Sequence, residues 1–518
     1  MESIKVRGLR SLVDTGCIKI KPINVLVGTN SSGKSSFLRV FPLLRQSTER
    51  RTRGPILWNG TYTDFESFAT SKHKSSDEIS SNGSISFSFD FYFKQRRHYS
   101  FRDLPNTLLK TSIYLEESSN KNSCYTKKLS VDVDGHEINF EFEQDGVIKS
   151  IFSNRINWDL EKNSIKFQLS DINTIIPVIS NPEFHFGYRH FDASKDKKTI
   201  IGSVFGQIYN HIKKYTGSQS KNKIYDMTSS LTKHIMSDDD KLKLMRSLRS
   251  TKVWKDKINS WNGNSAEFIF LSALIDLYTV TNGSMDINLQ ISETLKNVRY
   301  VAPLRASTER YYRYQDLSID EIDHRGENIG MFLTNIPKKW RLKLDKWTKK
   351  HLGFVIDEKT SSSHIAINLK YVDADSTNVA DMGFGFSQIL PIIVQLWSVS
   401  SGYEQSIKGK SESHYIFAIE QPELHLHPRM QANLAEVFSS SISLALENKI
   451  DLRLIIESHS SAMISKFGDS IALGKSDPND INIILFEQDR KSRKTDISYS
   501  SFNLDGELIN WPDGFFSY

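Results

Sequence analysis

The chain is 518 residues long and carries 67 lysines and arginines against 61 aspartates and glutamates, a net charge of +6. Its length exceeds the size at which a single core stops growing, so two lobes or domains are expected, and the mildly basic balance neither demands nor excludes nucleic acid. Cys17 and Cys124 alone argue against a disulfide framework or a cysteine-ligated zinc site. No uninterrupted apolar run approaches the roughly 20 residues of a bilayer span, and Met1-Glu2-Ser3-Ile4-Lys5-Val6 has no apolar core, which predicts a soluble, cytoplasmic protein with no membrane contact.

From Ile4 to Val27 apolar and polar residues alternate in two runs separated by Asp14-Thr15-Gly16, which predicts a hairpin or meander. It leads into Ile23-Asn24-Val25-Leu26-Val27 and then Gly28-Thr29-Asn30-Ser31-Ser32-Gly33-Lys34-Ser35-Ser36, an apolar strand opening into a G-x-x-x-x-G-K-S phosphate-binding loop. Backbone N–H groups curl around an anion in such a loop, which assigns Asn30, Ser31, Ser32, Gly33, Lys34, Ser35 and Ser36 to nucleotide binding. Lys34 reaches the β- and γ-phosphates, and the Ser35 hydroxyl completes the shell of a magnesium ion. The run Phe37-Leu38-Arg39-Val40-Phe41 begins a helix whose positive dipole end faces the same phosphates.

After this first part of the nucleotide-binding head, residues 1–70, a β-rich lobe is predicted over 71–199. There Ile85 to Phe93 alternates at strict period two and Val131-Asp132-Val133-Asp134-Gly135 ends in a turn. Between 200 and 298 the spacing turns helical, as in Asp238 to Leu248, which predicts an inserted helical module serving as a partner surface or as a structural cap. No internal repeat and no sustained heptads occur. Three basic clusters, Arg50 to Arg53, Lys94 to His98, and Lys338 to Lys343 with Trp340 interleaved, are solvated faces or contacts for DNA or RNA.

From 299 to 518 the pattern returns to strands and helices and carries the rest of the chemistry. The apolar run Tyr415-Ile416-Phe417-Ala418-Ile419 reads as a buried parallel strand and ends in Glu420-Gln421-Pro422-Glu423. A carboxylate at such a strand end, beside a phosphate loop, holds magnesium, so Ser35 and Glu420 are the candidate metal ligands. A second run, Leu452-Arg453-Leu454-Ile455-Ile456, ends in Glu457-Ser458-His459-Ser460, where His459 is placed to sense a γ-phosphate by hydrogen bonding.

Together, the loop at 28–35, the Glu-Gln-Pro-Glu-Leu-His-Leu-His-Pro run at 420–428 and Glu457 to Ser460 resemble the ATP-binding cassette heads of the SMC-like AAA ATPases. That group includes the OLD-family ATPases and the ATPase subunits of bacterial antiphage systems such as Septu, PARIS and retron-linked modules. Supporting matches are Tyr300 to Arg305 with Tyr311-Tyr312, Arg325-Gly326-Glu327-Asn328, and the tail from Asp505 to Phe516. The resemblance covers residues 1 to about 70 and 299 to 518.

What the resemblance implies is an α/β fold: an ABC-type P-loop NTPase head with a β-rich lobe and an inserted helical module, taking ATP and Mg2+. It also implies a head-to-head dimer in which a signature segment of one protomer closes on the ATP of the other. The matching segment runs from Met382 to Pro391, where Gly383, Gly385, Ser387 and Gln388 approach the γ-phosphate and Gly383 stands in the place of the usual serine. In the family the residue after the metal carboxylate is a glutamate that activates the attacking water. Here it is Gln421, whose amide cannot take that proton at neutral pH. Three accounts compete: the chain is a slow or inactive ATPase by nature, Glu423 takes over as base, or the amide is an engineered substitution that traps ATP. His425 and His427 alternate as metal ligands do, but in the family this segment packs beneath the site.

The leading expectation is therefore an ATP-binding regulatory subunit of an antiphage or DNA-processing complex. It would form a homodimer or higher oligomer whose closure controls a nuclease on a separate chain, with a Septu-type HNH partner the most concrete version. The stretch after His459 is too short for the toprim nuclease domain that OLD-type proteins fuse there. Alternatives are a self-sufficient SMC-like ATPase of DNA repair or remodelling, and a scaffold that binds ATP only for stability.

Overall fold

The apolar run Ile23–Gly28, hereafter β1, is buried at every position, as a strand covered on both faces requires. It lies inside a seven-stranded sheet with β2 (Val298–Val301), β3 (His414–Glu420), β4 (Asp451–Glu457), β5 (Ile481–Gln488), β6 (Thr495–Phe502) and β7 (Leu508–Ile509), in the order β2-β3-β4-β1-β5-β6-β7. The first five of these neighbours run parallel, while β6 and β7 add an antiparallel edge. Helix α1 (Lys34–Leu38) follows the loop after β1, and α2 (Lys338–Leu352), α3 (Phe384–Ser400), α4 (Pro428–Glu447) and α5 (Ser461–Ala472) belong to the same unit. Val25, Phe417, Ile456, Leu485, Trp397 and Phe438 share its core. The expected α/β architecture is present, and β4 is inserted between the strand that carries the phosphate loop and the strand that ends in Glu420.

This computed structural model describes residues 1–50, 52–73, 84–94, 106–119, 123–158, 169–171, 174–179, 200–303, 305, 309–315, 317–361, 363–371, 375–409, 414–489 and 492–512. Of the residues singled out above, Arg51, the basic cluster beyond Lys94, Leu304 and the tail from Asp513 lie outside them. Lys338 to Lys343 falls on α2, whose Leu344 and Trp347 are buried; Lys338, Lys339 and Lys343 are exposed, whereas Arg341 packs inward against Asp345 and the Ile356 carbonyl.

The chain divides into two units. One comprises Ile20–Arg45, Thr61–Thr63 and Asn297–Tyr518 and contains the sheet just described; the other comprises Met1–Lys19, Gln46–Gly60 and Asp64–Lys296. In the second unit Ser3–Leu9 pairs with both Leu12–Asp14 and Ile85–Phe93, within an antiparallel sheet that continues through Thr107–Glu117, Cys124–Val133, His136–Phe142 and Ile148–Ser153. Phe87 and Phe89 are fully buried, as the period-two pattern requires. The helices Ile200–Thr216, Lys221–Leu231, Asp238–Ser247, Lys252–Asn259 and Ala266–Lys296 belong to the same unit, three of them capped by Ser220, Ser237 and Thr251 side chains.

Ala266–Lys296 is long and apolar enough to cross a membrane by length and composition, yet 67% of its most apolar window is buried inside the protein. Buried at its centre is a charged cluster. The Lys241 ammonium donates to Asp276 Oδ2 (2.7 Å), Ser272 Oγ (2.9 Å) and Asp238 Oδ1 (3.0 Å), while His136 contacts Asp276 Oδ2 at 2.9 Å and Ser153 Oγ at 2.7 Å. Lys241, Asp276 and His136 have no solvent exposure, so removing one charge strands the other in a low-dielectric interior. Asp276→Ala is expected to destabilise this unit by about 3–5 kcal/mol in urea unfolding, and the paired change Lys241→Met with Asp276→Leu to recover most of that loss.

Candidate nucleotide site

The site is built where β1, β3 and β4 end together. Glu420 pairs in register with Glu457, and Glu457 with Leu26, so both carboxylates arrive at the level of the loop that starts at Gly28. Gly28 is required by close approach: a Cβ there would stand 2.1 Å from the Phe486 carbonyl oxygen and 2.9 Å from Ser32 Oγ. The loop then turns through Ser31 at φ 65° and Gly33 at φ 102°, and Thr495 Oγ1 on β6 donates to the Ser32 carbonyl at 2.8 Å, holding its tip. Helix α1 starts at Lys34 and presents its amino end to the cradle.

Lys34 is buried, its ammonium donating to the carbonyls of Gly28 (2.9 Å) and Thr29 (2.7 Å); burial lowers its pKa. The Ser35 hydroxyl donates to Glu457 Oε1 at 2.8 Å. Glu420 is held differently: Arg39 clasps both its oxygens (2.7 and 2.8 Å) and the Tyr300 hydroxyl donates to Oε1 at 2.8 Å. Burial, then the neighbouring Glu420 charge, push the Tyr300 phenol up, while Glu420 raises the Arg39 guanidinium.

Gln421 follows β3 with φ 41°, an unusual backbone conformation for a residue with a side chain, and its N–H donates to the Glu457 carbonyl at 2.9 Å. Glu423 is buried, and its Oε1 accepts the His459 N–H at 2.6 Å. Burial raises the Glu423 carboxyl, and burial together with the Lys34 charge lowers His459, which leaves the imidazole neutral at pH 7. His427 Nδ1 caps α4 by accepting the Arg429 N–H, and Gly385 lies against the His425 carbonyl and Leu426. Among the described residues no group of three His, Cys, Asp or Glu side chains is arranged to hold a metal ion.

The signature segment splits in two. Gly383 caps the 17-residue α3 at φ 90°, exposed and with open space where a side chain would stand. Ser387 and Gln388 are buried within the unit, where Gln388 exchanges hydrogen bonds with the Arg305 backbone: Nε2 donates to the carbonyl at 3.1 Å and Oε1 accepts the N–H at 3.3 Å. Arg305 Nη2 donates in turn to the Glu420 carbonyl at 2.9 Å, while its Nε and Nη1 are buried without hydrogen-bond partners among the described residues. Burial brings its pKa down to about 10.

The chemistry of the donor set suits magnesium. The Ser35 hydroxyl and the carboxylate oxygens are hard ligands, and Glu457 Oε2 is buried with no hydrogen-bond partner. Motif reading leaves Arg39, Tyr300, Glu457 and Thr495 without roles. A glutamate ending a buried parallel strand is the one sequence signal that singles any of them out, since a carboxylate there needs a partner.

A parallel sheet of this order, with the loop after β1 and a helix beginning at its lysine, defines a P-loop nucleotide-binding protein. The chain belongs to the AAA ATPase domain family, whose AAA_15 description matches residues 1–464. Among solved structures it is similar to the Smc head domain with an extended coiled coil, bound to the C-terminal domain of ScpA, from Pyrococcus furiosus: 11% identity over 96% of both chains, TM-score 0.34. It is also similar to the SMC head domain from Thermotoga maritima, with 7% identity over 96% of this chain and 98% of that one, TM-score 0.29. No curated protein matches. The assignment to an ATPase family therefore rests on the family match and the geometry of the loop.

Lys34→Ala removes the one side-chain cation that the loop supplies to the β- and γ-phosphates. Calorimetry is expected to show at least about a hundredfold weaker ATP binding in a variant that still unfolds cooperatively, two charge-assisted contacts at roughly 1.5–3 kcal/mol each being lost.

Proposed function

We propose that the chain is an ATP-dependent switch. It binds ATP with magnesium in the loop from Gly28 to Ser36, closes on a second copy through the Gly383 end of α3, and passes that closure to an effector on a separate chain. The effector is a nuclease, as the resemblance to antiphage ATPase subunits implies, with a small HNH enzyme of Septu type the most concrete form.

One observation carries the reading: an amide, Gln421, follows the strand that ends in Glu420. It can orient a water by hydrogen bonds but cannot accept its proton, and general-base catalysis contributes about 10² to 10⁴ in rate. One oxygen of Glu423 accepts the His459 backbone N–H and so ties the segment after β4 to the segment after β3, while its Oε2 has no hydrogen-bond partner among the described residues. In the bound state Lys34 and the α1 amides hold the phosphates, and neutral His459 hydrogen-bonds the γ-phosphate. Magnesium, when bound, neutralises phosphate charge. Arg305 joins the signature helix to the end of β3 through Gln388 and the Glu420 carbonyl, which gives closure at α3 a path to the nucleotide. The exposed amino end of α3 is a helix dipole available to a γ-phosphate from the partner copy.

Light scattering at micromolar concentration is expected to show association to a dimer or larger assembly with ATP and magnesium. A chain that stays monomeric at saturating ATP contradicts the trans closure. Gln421→Glu is expected to raise phosphate release at least about tenfold. Brisk turnover by the chain as it stands, lost in Glu423→Gln, would make Glu423 the base and overturn the switch.

A further inference from the structure

Glu420 and Glu457 end adjacent parallel strands in register, yet their carboxylates are engaged in opposite ways. Both oxygens of Glu420 are taken: Oε1 accepts from Arg39 Nε and from the Tyr300 hydroxyl, and Oε2 accepts from Arg39 Nη2. A two-pronged guanidinium on a carboxylate that is 2% exposed neutralises its charge and fixes its plane. Glu457, 3% exposed, has one oxygen on the Ser35 hydroxyl and the other, Oε2, buried with no hydrogen-bond partner among the described residues.

A buried carboxylate oxygen left without a donor is costly, and two side-by-side carboxylates need two sources of positive charge. Arg39 supplies one. Lys34 does not bond to Glu457, because its ammonium donates to the carbonyls of Gly28 and Thr29. A cation that also takes the Ser35 hydroxyl would give Glu457 the direct partner that Lys34 and Arg39 do not. Ser35 Oγ and Glu457 Oε1 are 2.8 Å apart, close to the roughly 2.9 Å between neighbouring ligands of an octahedral magnesium with bonds of about 2.0–2.1 Å, and Oε2 is left beside that edge.

We propose that Glu457, not Glu420, is the carboxylate that binds magnesium directly at the nucleotide site, together with Ser35. Glu420 is a positioning residue: it holds Arg39, the residue that caps the end of α1, and thereby ties that end of the helix to the end of β3. Ser35 and Glu457 would hold the metal with the serine still protonated, its O–H turned away from Glu457 so that both oxygens could face the ion. This assignment rests on the reading of residues 28–36 as a nucleotide cradle.

The test uses the full chain with Mn2+ as a paramagnetic stand-in for magnesium. Free and bound Mn2+ are measured by electron paramagnetic resonance in the presence of ATP, and fluorescent ATP binding is measured separately in EDTA. Glu457→Gln is expected to weaken Mn2+ binding by more than about a hundredfold, beyond the roughly 10 to 100-fold that loss of an outer-shell partner costs, while metal-free nucleotide binding changes less than about threefold. Glu457→Asp, which keeps the charge one methylene further back, is expected to fall between, and it preserves the test if the glutamine variant does not fold. Glu420→Gln is expected to lower the melting temperature and leave Mn2+ affinity within about threefold. Loss of Mn2+ in Glu420→Gln with none in Glu457→Gln would overturn the assignment while nucleotide binding stands. Failure of the unsubstituted chain to bind fluorescent ATP would instead overturn the nucleotide reading, and this assignment with it.

Discussion

Two carboxylates that end neighbouring parallel strands cannot both stay charged in a buried site without separate partners, and the arrangement of this head follows from how that conflict is resolved. The Arg39 fork and the Tyr300 hydroxyl take Glu420, which orients the first turn after the phosphate loop. Ser35 takes one oxygen of Glu457. Burial raises the Glu457 carboxyl and the Glu420 charge adds to that, against the Ser35 hydrogen bond and the Lys34 and Arg39 charges, which lower it.

The same strand ends set the fate of the bound nucleotide. Gln421 sits in a strained conformation with its backbone N–H fixed to the Glu457 carbonyl, which ties the residue after β3 to the end of β4. The buried arginine that bonds the Glu420 carbonyl also bonds Gln388 on the signature helix. The helix that starts at the exposed Gly383 is thus tied to the carboxylate strand at its second turn. Under the proposed closure on a second copy, this link would join assembly to the nucleotide.

Much of the head was legible in the residues. An apolar run before G-x-x-x-x-G-K-S, and two more apolar runs ending in Glu420 and Glu457, are strand signals with chemistry at their ends, and the sheet order brings those ends together. The partner of the amino-terminal strand was not legible. Alternation puts Ile4 and Val6 on a buried face without saying that Ile85–Phe93 lies beside them, because period two encodes a face and not a neighbour. The roles of Arg39 and Tyr300 depend on which side chain reaches which carboxylate, and that is decided by packing across elements far apart in the chain. Ser387 and Gln388 show the converse: their motif positions suggest a ligand, but one helical turn carries them to the inner face of α3, where Gln388 serves the Arg305 backbone.

The proposed switch holds ATP and scarcely hydrolyses it. The identity of the retained nucleotide is read after the chain is loaded with γ-labelled ATP and magnesium, stripped of free nucleotide by gel filtration, and sampled over time. Intact ATP is expected on the protein for as long as nucleotide remains bound. Label released as phosphate with ADP left in the site, within the first few minutes, would rule the switch out.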